Sequence, residues 1–93
     1  MVRHYIIKGR VQGVGFRWFV FREASALELC GWVQNTVEGN VEVLAAGSEE
    51  QLRELDACLR RGSRGSRVDR IEQTERPAAE AEGLKPFEIE GAW

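Results

Sequence analysis

A chain of 93 residues is sized for one domain, and its Cys30, Cys58 and single His4 supply neither a disulfide framework nor the four ligands of a structural zinc. With 43% hydrophobic and 30% charged residues, it lies outside the composition range of disordered chains. The net charge of −2 argues against bulk attraction to nucleic acid, and the lack of a membrane-length apolar run or a secretory leader pattern leads us to expect a soluble cytoplasmic protein.

The stretch from His4 to Val11, centred on Tyr5, Ile6 and Ile7, predicts a first strand. Gln12-Gly13-Val14-Gly15-Phe16 follows, and two glycines one residue apart mark a loop that needs unusual torsion angles or a close approach. From Arg17 to about Leu29 the period lengthens: Phe16, Val20, Ala24 and Leu27 share one helical face. Residues 31 to 36 and 40 to 46 alternate apolar with polar around Glu38-Gly39, which predicts a hairpin. Ser48 ahead of Glu49-Glu50-Gln51 is a capping box, and the stripe Leu52, Leu55, Leu59 predicts a second helix ending at Arg60-Arg61-Gly62. Val68 to Glu75 is read as a strand although Val68 and Ile71 do not alternate cleanly; residues 75 to 84 read as a loop, and Phe87 and Ile89 alternate with Glu88 and Glu90 in a short last strand. This order implies a ferredoxin-like α+β sandwich, with two helices on one face of a mostly antiparallel sheet of four or five strands.

Charge is distributed unevenly. Residues 1 to 22 carry Arg3, Lys8, Arg10, Arg17 and Arg22 without an acid, whereas residues 48 to 93 carry 8 bases and 11 acids. The glycine turn before the first helix therefore lies in the basic part of the chain, at a helix end where backbone N–H groups lack partners and the dipole is positive. Such a turn can cradle an anion, and Arg17 adds a planar fork that fits phosphate or carboxylate at two points. The same spacing also suits a plain strand-to-helix connection with a solvent-facing arginine. A dinucleotide-binding turn would need glycine where Trp18 stands, and the Gly-Lys-Ser/Thr of a P-loop is absent. The run GVGFRWFVF superficially matches an RNA-recognition motif, but there the aromatics lie on a third strand, not ahead of a first helix. Asn35, at the end of the second strand, offers both an acceptor and donors, or simply favours the approach to a turn.

GRVQGVGFR at residues 9 to 17, GWVQN at 31 to 35 and EGNVEV at 38 to 43 together resemble the acylphosphatase family, across essentially the whole chain. The resemblance implies that the loop of Gln12, Gly13, Val14, Gly15, Phe16 and Arg17 binds phosphate, that Arg17 is the main substrate-binding side chain, and that Asn35 positions the attacking water. It implies hydrolysis of the carboxyl-phosphate bond of acyl phosphates with no metal or cofactor. The chemistry suits such a site: the departing carboxylate has a conjugate acid of pKa about 4, so a general acid such as histidine is hardly needed.

Glu28 departs from the family pattern, standing where many members have glycine, and Gly62-Ser63 replaces a frequent Gly-Pro. Five arginines between Arg60 and Arg70 would steer anions or form a solvated loop. Trp18, Phe19 and Phe21 would rim a substrate pocket or join the core, while His4, Cys30 and Cys58 read as ordinary structural residues. The expected partner is a small acyl phosphate, with no nucleic acid or membrane and the protein as a monomer. A non-catalytic anion- or RNA-binding module on the same scaffold is the alternative.

Overall fold

The computed structural model describes residues 1–91. In chain order it contains β1 (Val2–Arg10), α1 (Phe16–Ala26), β2 (Cys30–Asn35), β3 (Val41–Ala46), α2 (Glu49–Arg61), β4 (Arg67–Arg76), a 3-10 turn at Ala78–Ala81 and β5 (Glu88–Ile89). The five strands form one sheet in the order β4-β1-β3-β2-β5. Pairing is antiparallel except between β2 and β5, which run parallel along the edge. Tyr5, Ile7, Val33, Val41, Val43 and Ala45 line the face turned to the helices, where Phe16, Val20 and Ala24 of α1 and Leu52, Leu55 and Leu59 of α2 close the core. The ferredoxin-like expectation is met, with β5 as the fifth strand.

The second helix begins as its capping box requires: Ser48 Oγ accepts from Gln51 N at 3.1 Å while Gln51 Oε1 accepts from Ser48 N at 2.8 Å. The same Gln51 donates from Nε2 to Leu27 O at 2.8 Å, tying the start of α2 to the end of α1. The first helix stops at Ala26, three residues before the sequence pattern suggests. Glu28 adopts φ 59, and the bonds Glu28 N to Ser25 O and Leu29 N to Ala24 O, both 3.0 Å, form a Schellman stop. Leu29 is thereby turned into the core, 2% exposed, instead of continuing the helix.

β4 shows why its pattern looked irregular. Lys8 pairs with Arg70 but Gly9 pairs with Val68, so Asp69 is an extra residue in a β-bulge. The bulge shifts the two-residue rhythm and returns both Val68 and Ile71 to the core side, against which both pack. Glycine is required opposite: a Cβ on Gly9 would lie 2.1 Å from Arg67 O.

The left-handed backbone at Glu28 costs a residue with a Cβ what glycine avoids. Glu28→Gly should therefore stabilise the fold by about 0.5–1 kcal/mol, the relief of strain exceeding the added freedom of the unfolded chain; chemical denaturation of the two proteins measures it.

Candidate active site

The centre of the sheet delivers the site. β1, held between β3 and β4, runs directly into residues 11 to 15, and α1 starts at Phe16. Val11 and Phe16, each 1% exposed, anchor the two ends of this loop in the core. Between them Gly13 and Gly15 take φ 74 and φ 76, and a Cβ built on either would meet nothing within 4 Å. The requirement for glycine is thus torsional rather than a matter of space, and the loop opens onto solvent.

Gly15 caps α1 with no side-chain bond and no acid in the first turn. The first intrahelical bond is Phe19 N to Gly15 O, 3.1 Å, so the N–H groups of Phe16, Arg17 and Trp18 have no helical acceptor. Arg17, half-buried in this turn, forms no ion pair or hydrogen bond with any described residue. Its surroundings share that property. Arg3 and Lys8 are matched by Glu75 and Glu72 on β4, while Arg10, Arg17 and Arg22 have no carboxylate within ion-pair distance among the described residues. The basic start of the chain is therefore neutralised along the sheet and left unneutralised around the loop, which makes this end of the molecule attractive to anions.

Gln12 does something that sequence reasoning missed. Its Nε2 donates to Thr36 O and to Asn40 O, each at 2.8 Å, and so fastens the loop to the base of the β2–β3 hairpin. Its side chain is spent on this tether, leaving the main-chain N–H as what Gln12 can offer an anion. The tether reaches the carbonyls flanking the Asn35–Val41 pair. Asn35, Val41 and Ile7 form one cross-strand row, which places Asn35 about 10 Å from β1. In the uninterrupted alternation of β2, Asn35 shares the helix-side face with buried Val33, while Gln34 lies on the opposite face with its Nε2 on Glu42 at 2.8 Å. The structure thus brings Gln12 to Arg17 and the end of β2 together, with Asn35 on the side from which α1 rises.

The remaining candidates lie elsewhere. His4 pairs with Glu42 at 2.7 Å on the sheet face turned away from the helices. Cys30 and Cys58 are free thiols, and Cys58 donates to Glu23 Oε1 at 3.1 Å; burial, reinforced by that carboxylate, pushes its pKa up, the wrong direction for a nucleophile. Of the arginines from 60 to 70, Arg60, Arg61, Arg67 and Arg70 each have a carboxylate partner, so that segment presents little uncompensated charge. A surface cleft of about 350 Å³, lined by Ser25, Glu28 and Cys30 with Pro86 and Phe87, sits at the other end of α1. An anion gripped by main-chain amides needs no such depth.

The family model for acylphosphatase matches residues 3–89. The chain belongs to the acylphosphatase family. It is 52% identical over 91 residues to an acylphosphatase of Koribacter versatilis, covering 98% of this chain and 81% of that one. The crystal structure of the acylphosphatase from Bacillus subtilis superposes with a TM-score of 0.88 at 42% identity, covering 98% of this chain and all 100% of the other. An acylphosphatase from Coxiella burnetii gives 0.87 at 31% identity, over 96% and 90% of the two chains. This acylphosphatase hydrolyses acyl phosphates.

The Gln12 tether carries a structural prediction of its own. Gln12→Ala removes two bonds to the hairpin and should cost about 1–2 kcal/mol of stability, read by denaturant unfolding, while Gln12→Glu, which lacks the amide donor, should lose a similar amount.

Proposed function

We propose that the phosphoryl group is held by the main-chain amides of residues 12 to 17 and the guanidinium of Arg17, and that Asn35 orients the water that attacks phosphorus. Three features support the reading. The first-turn N–H groups have no helical acceptor, Arg17 has no carboxylate partner among the described residues, and the Gln12 tether joins the loop to the hairpin that follows Asn35. The last of these carries most weight, because hydrolysis needs phosphorus and water placed together.

Gln12 Nε2 donates to the hairpin carbonyls, Thr36 Oγ1 accepts from Asn40 N at 3.1 Å, and Gln34 lies on the far face of the sheet. Asn35 shares the helix-side face with Val33, and a carboxamide is a group that can orient a water. The water oxygen forms its bond to phosphorus as the bond to the carboxylate oxygen breaks, with incoming and outgoing oxygens in line. Arg17 and the amides stabilise charge on the equatorial oxygens. The carboxylate departs unprotonated because its conjugate acid has a pKa of about 4, and the proton of the attacking water ends on the phosphate product. Neither step calls for a group titrating near neutrality, so the rate should vary little across the neutral range.

The free thiols of Cys30 and Cys58 suit a reducing compartment. We place the activity in the cytoplasm, with the protein working as a monomer on small acyl phosphates.

The roles separate kinetically. With acetyl phosphate, Arg17→Ala should raise KM by about 10–100-fold, and Asn35→Ala should lower kcat by about 100-fold or more with KM little changed. An Asn35→Ala protein that folds and keeps the wild-type kcat would remove Asn35 from the mechanism.

A further inference from the structure

The aromatic trio that opens α1 is divided by the fold. Phe19 joins the core and Phe21 packs half-buried against it, but Trp18 is 64% exposed. Leaving an indole in water forgoes more apolar burial than almost any other side chain offers. Nor does the ring hang loose: it stands edge-on to Phe21, with centroids 5.6 Å apart and planes at 84°, so one turn of helix braces it and leaves a face open. Trp18 follows Arg17 directly and lies in the turn whose N–H groups face the loop. Its exposure is also not part of a general surface pattern. Among the described residues, the large exposed apolar side chains are Met1, Trp18 and Val37. Val37, 86% exposed, sits at the tip of the hairpin that Gln12 holds. Two of these three thus stand on the segments flanking loop 11 to 15.

An acyl phosphate has two unlike halves. Amides and a guanidinium recognise its phosphoryl group, but they give nothing to an apolar acyl chain, which leaves opposite the water. The acyl half extends from a phosphoryl group held at Arg17, and Trp18, the next residue, is the exposed apolar side chain beside it. We infer that Trp18 is the contact surface for the acyl half of the substrate and favours acyl phosphates with a flat or bulky apolar group over acetyl phosphate. This inference rests on the phosphoryl site proposed above. Because Trp18 contacts a part of the substrate that does not react, it contributes binding shared by ground state and transition state, and its loss acts through KM.

Steady-state kinetics with benzoyl phosphate and acetyl phosphate test it. Trp18→Ala should lower kcat/KM for benzoyl phosphate by about five- to tenfold, through KM, with less than about a twofold change for acetyl phosphate; Trp18→Phe should recover most of the loss. An exposed side chain adds little to folding, so the thermal midpoint should stay near wild type. A benzoyl-to-acetyl efficiency ratio in Trp18→Ala within about twofold of wild type overturns the inference. Arg17→Ala in the same series separates the two failures. If it impairs both substrates while the Trp18→Ala ratio is unmoved, only the acyl contact is lost; if it leaves both unimpaired, the phosphoryl site itself is wrong.

Discussion

The two hydrogen bonds from Gln12 Nε2 to the hairpin carbonyls are the constraint on which the site depends. A loop that contains Gly13 and Gly15 gains its left-handed turns at the cost of high freedom in the unfolded chain. Burial of Val11 and Phe16 fixes where the loop leaves the sheet and where it enters α1, and Val14 between them packs half-buried against the core. The Gln12 amide adds a polar anchor. It also acts between elements: one end of the contact belongs to the β1–α1 connection and the other to the β2–β3 turn. Packing of α1 on β2 relates the helix to the strand that carries Asn35, and the Gln12 bonds add a direct link from the loop itself to the hairpin. A tether to main-chain carbonyls is well suited to this task because the hairpin backbone is itself ordered, with Thr36 N bonded to Asn40 O at 2.9 Å.

Charge is arranged to the same end. Along β1 and β4 the cations are answered by acids, as in the Lys8–Glu72 pair at 3.4 Å. On α2 they are answered within the helix, as in Arg53–Glu49 and Arg60–Asp56, both at 2.9 Å and spaced by one turn. Exposed pairs of this kind add little to stability, but they remove competing sites for an anion. Around the loop no acid occupies the first turn of α1, and among the described residues Arg17 has no carboxylate partner. An overall net charge of −2 is therefore no obstacle to an anionic substrate, because what the substrate meets is the local field.

Much of this was legible in the residues. The capping box at Ser48, the Glu38-Gly39 turn and the glycine loop each have a local cause written in side chains a few residues apart, and each appears where the pattern puts it. Three features were not legible because their causes are not local. The end of α1 depends on Leu29 being drawn into the core, which forces Glu28 into a conformation its own chemistry disfavours. The uneven spacing of Val68 and Ile71 makes sense only once Asp69 is seen as a bulge opposite Lys8 and Gly9. Gln12 is the clearest case: an amide in an anion loop reads as a ligand until the hairpin is placed beside it, and nothing within ten residues of it identifies Thr36 and Asn40 as its partners.

Catalysis of this kind puts its demands on geometry rather than on tuned acids and bases. An acyl phosphate carries its own good leaving group, so what the protein must add is position and a field. In the proposed mechanism both come from main-chain amides and the side chains of Arg17 and Asn35. The His4–Glu42 pair stands on the opposite sheet face, away from the loop. On the proposed reading the consequence is an economy of residues: a glycine turn, one helix terminus and Arg17 hold the phosphoryl half of the substrate. If Trp18 receives the acyl half as we infer, the outer face of α1, where Phe21 braces it, can vary with the acyl group while the chemistry beneath it stays the same.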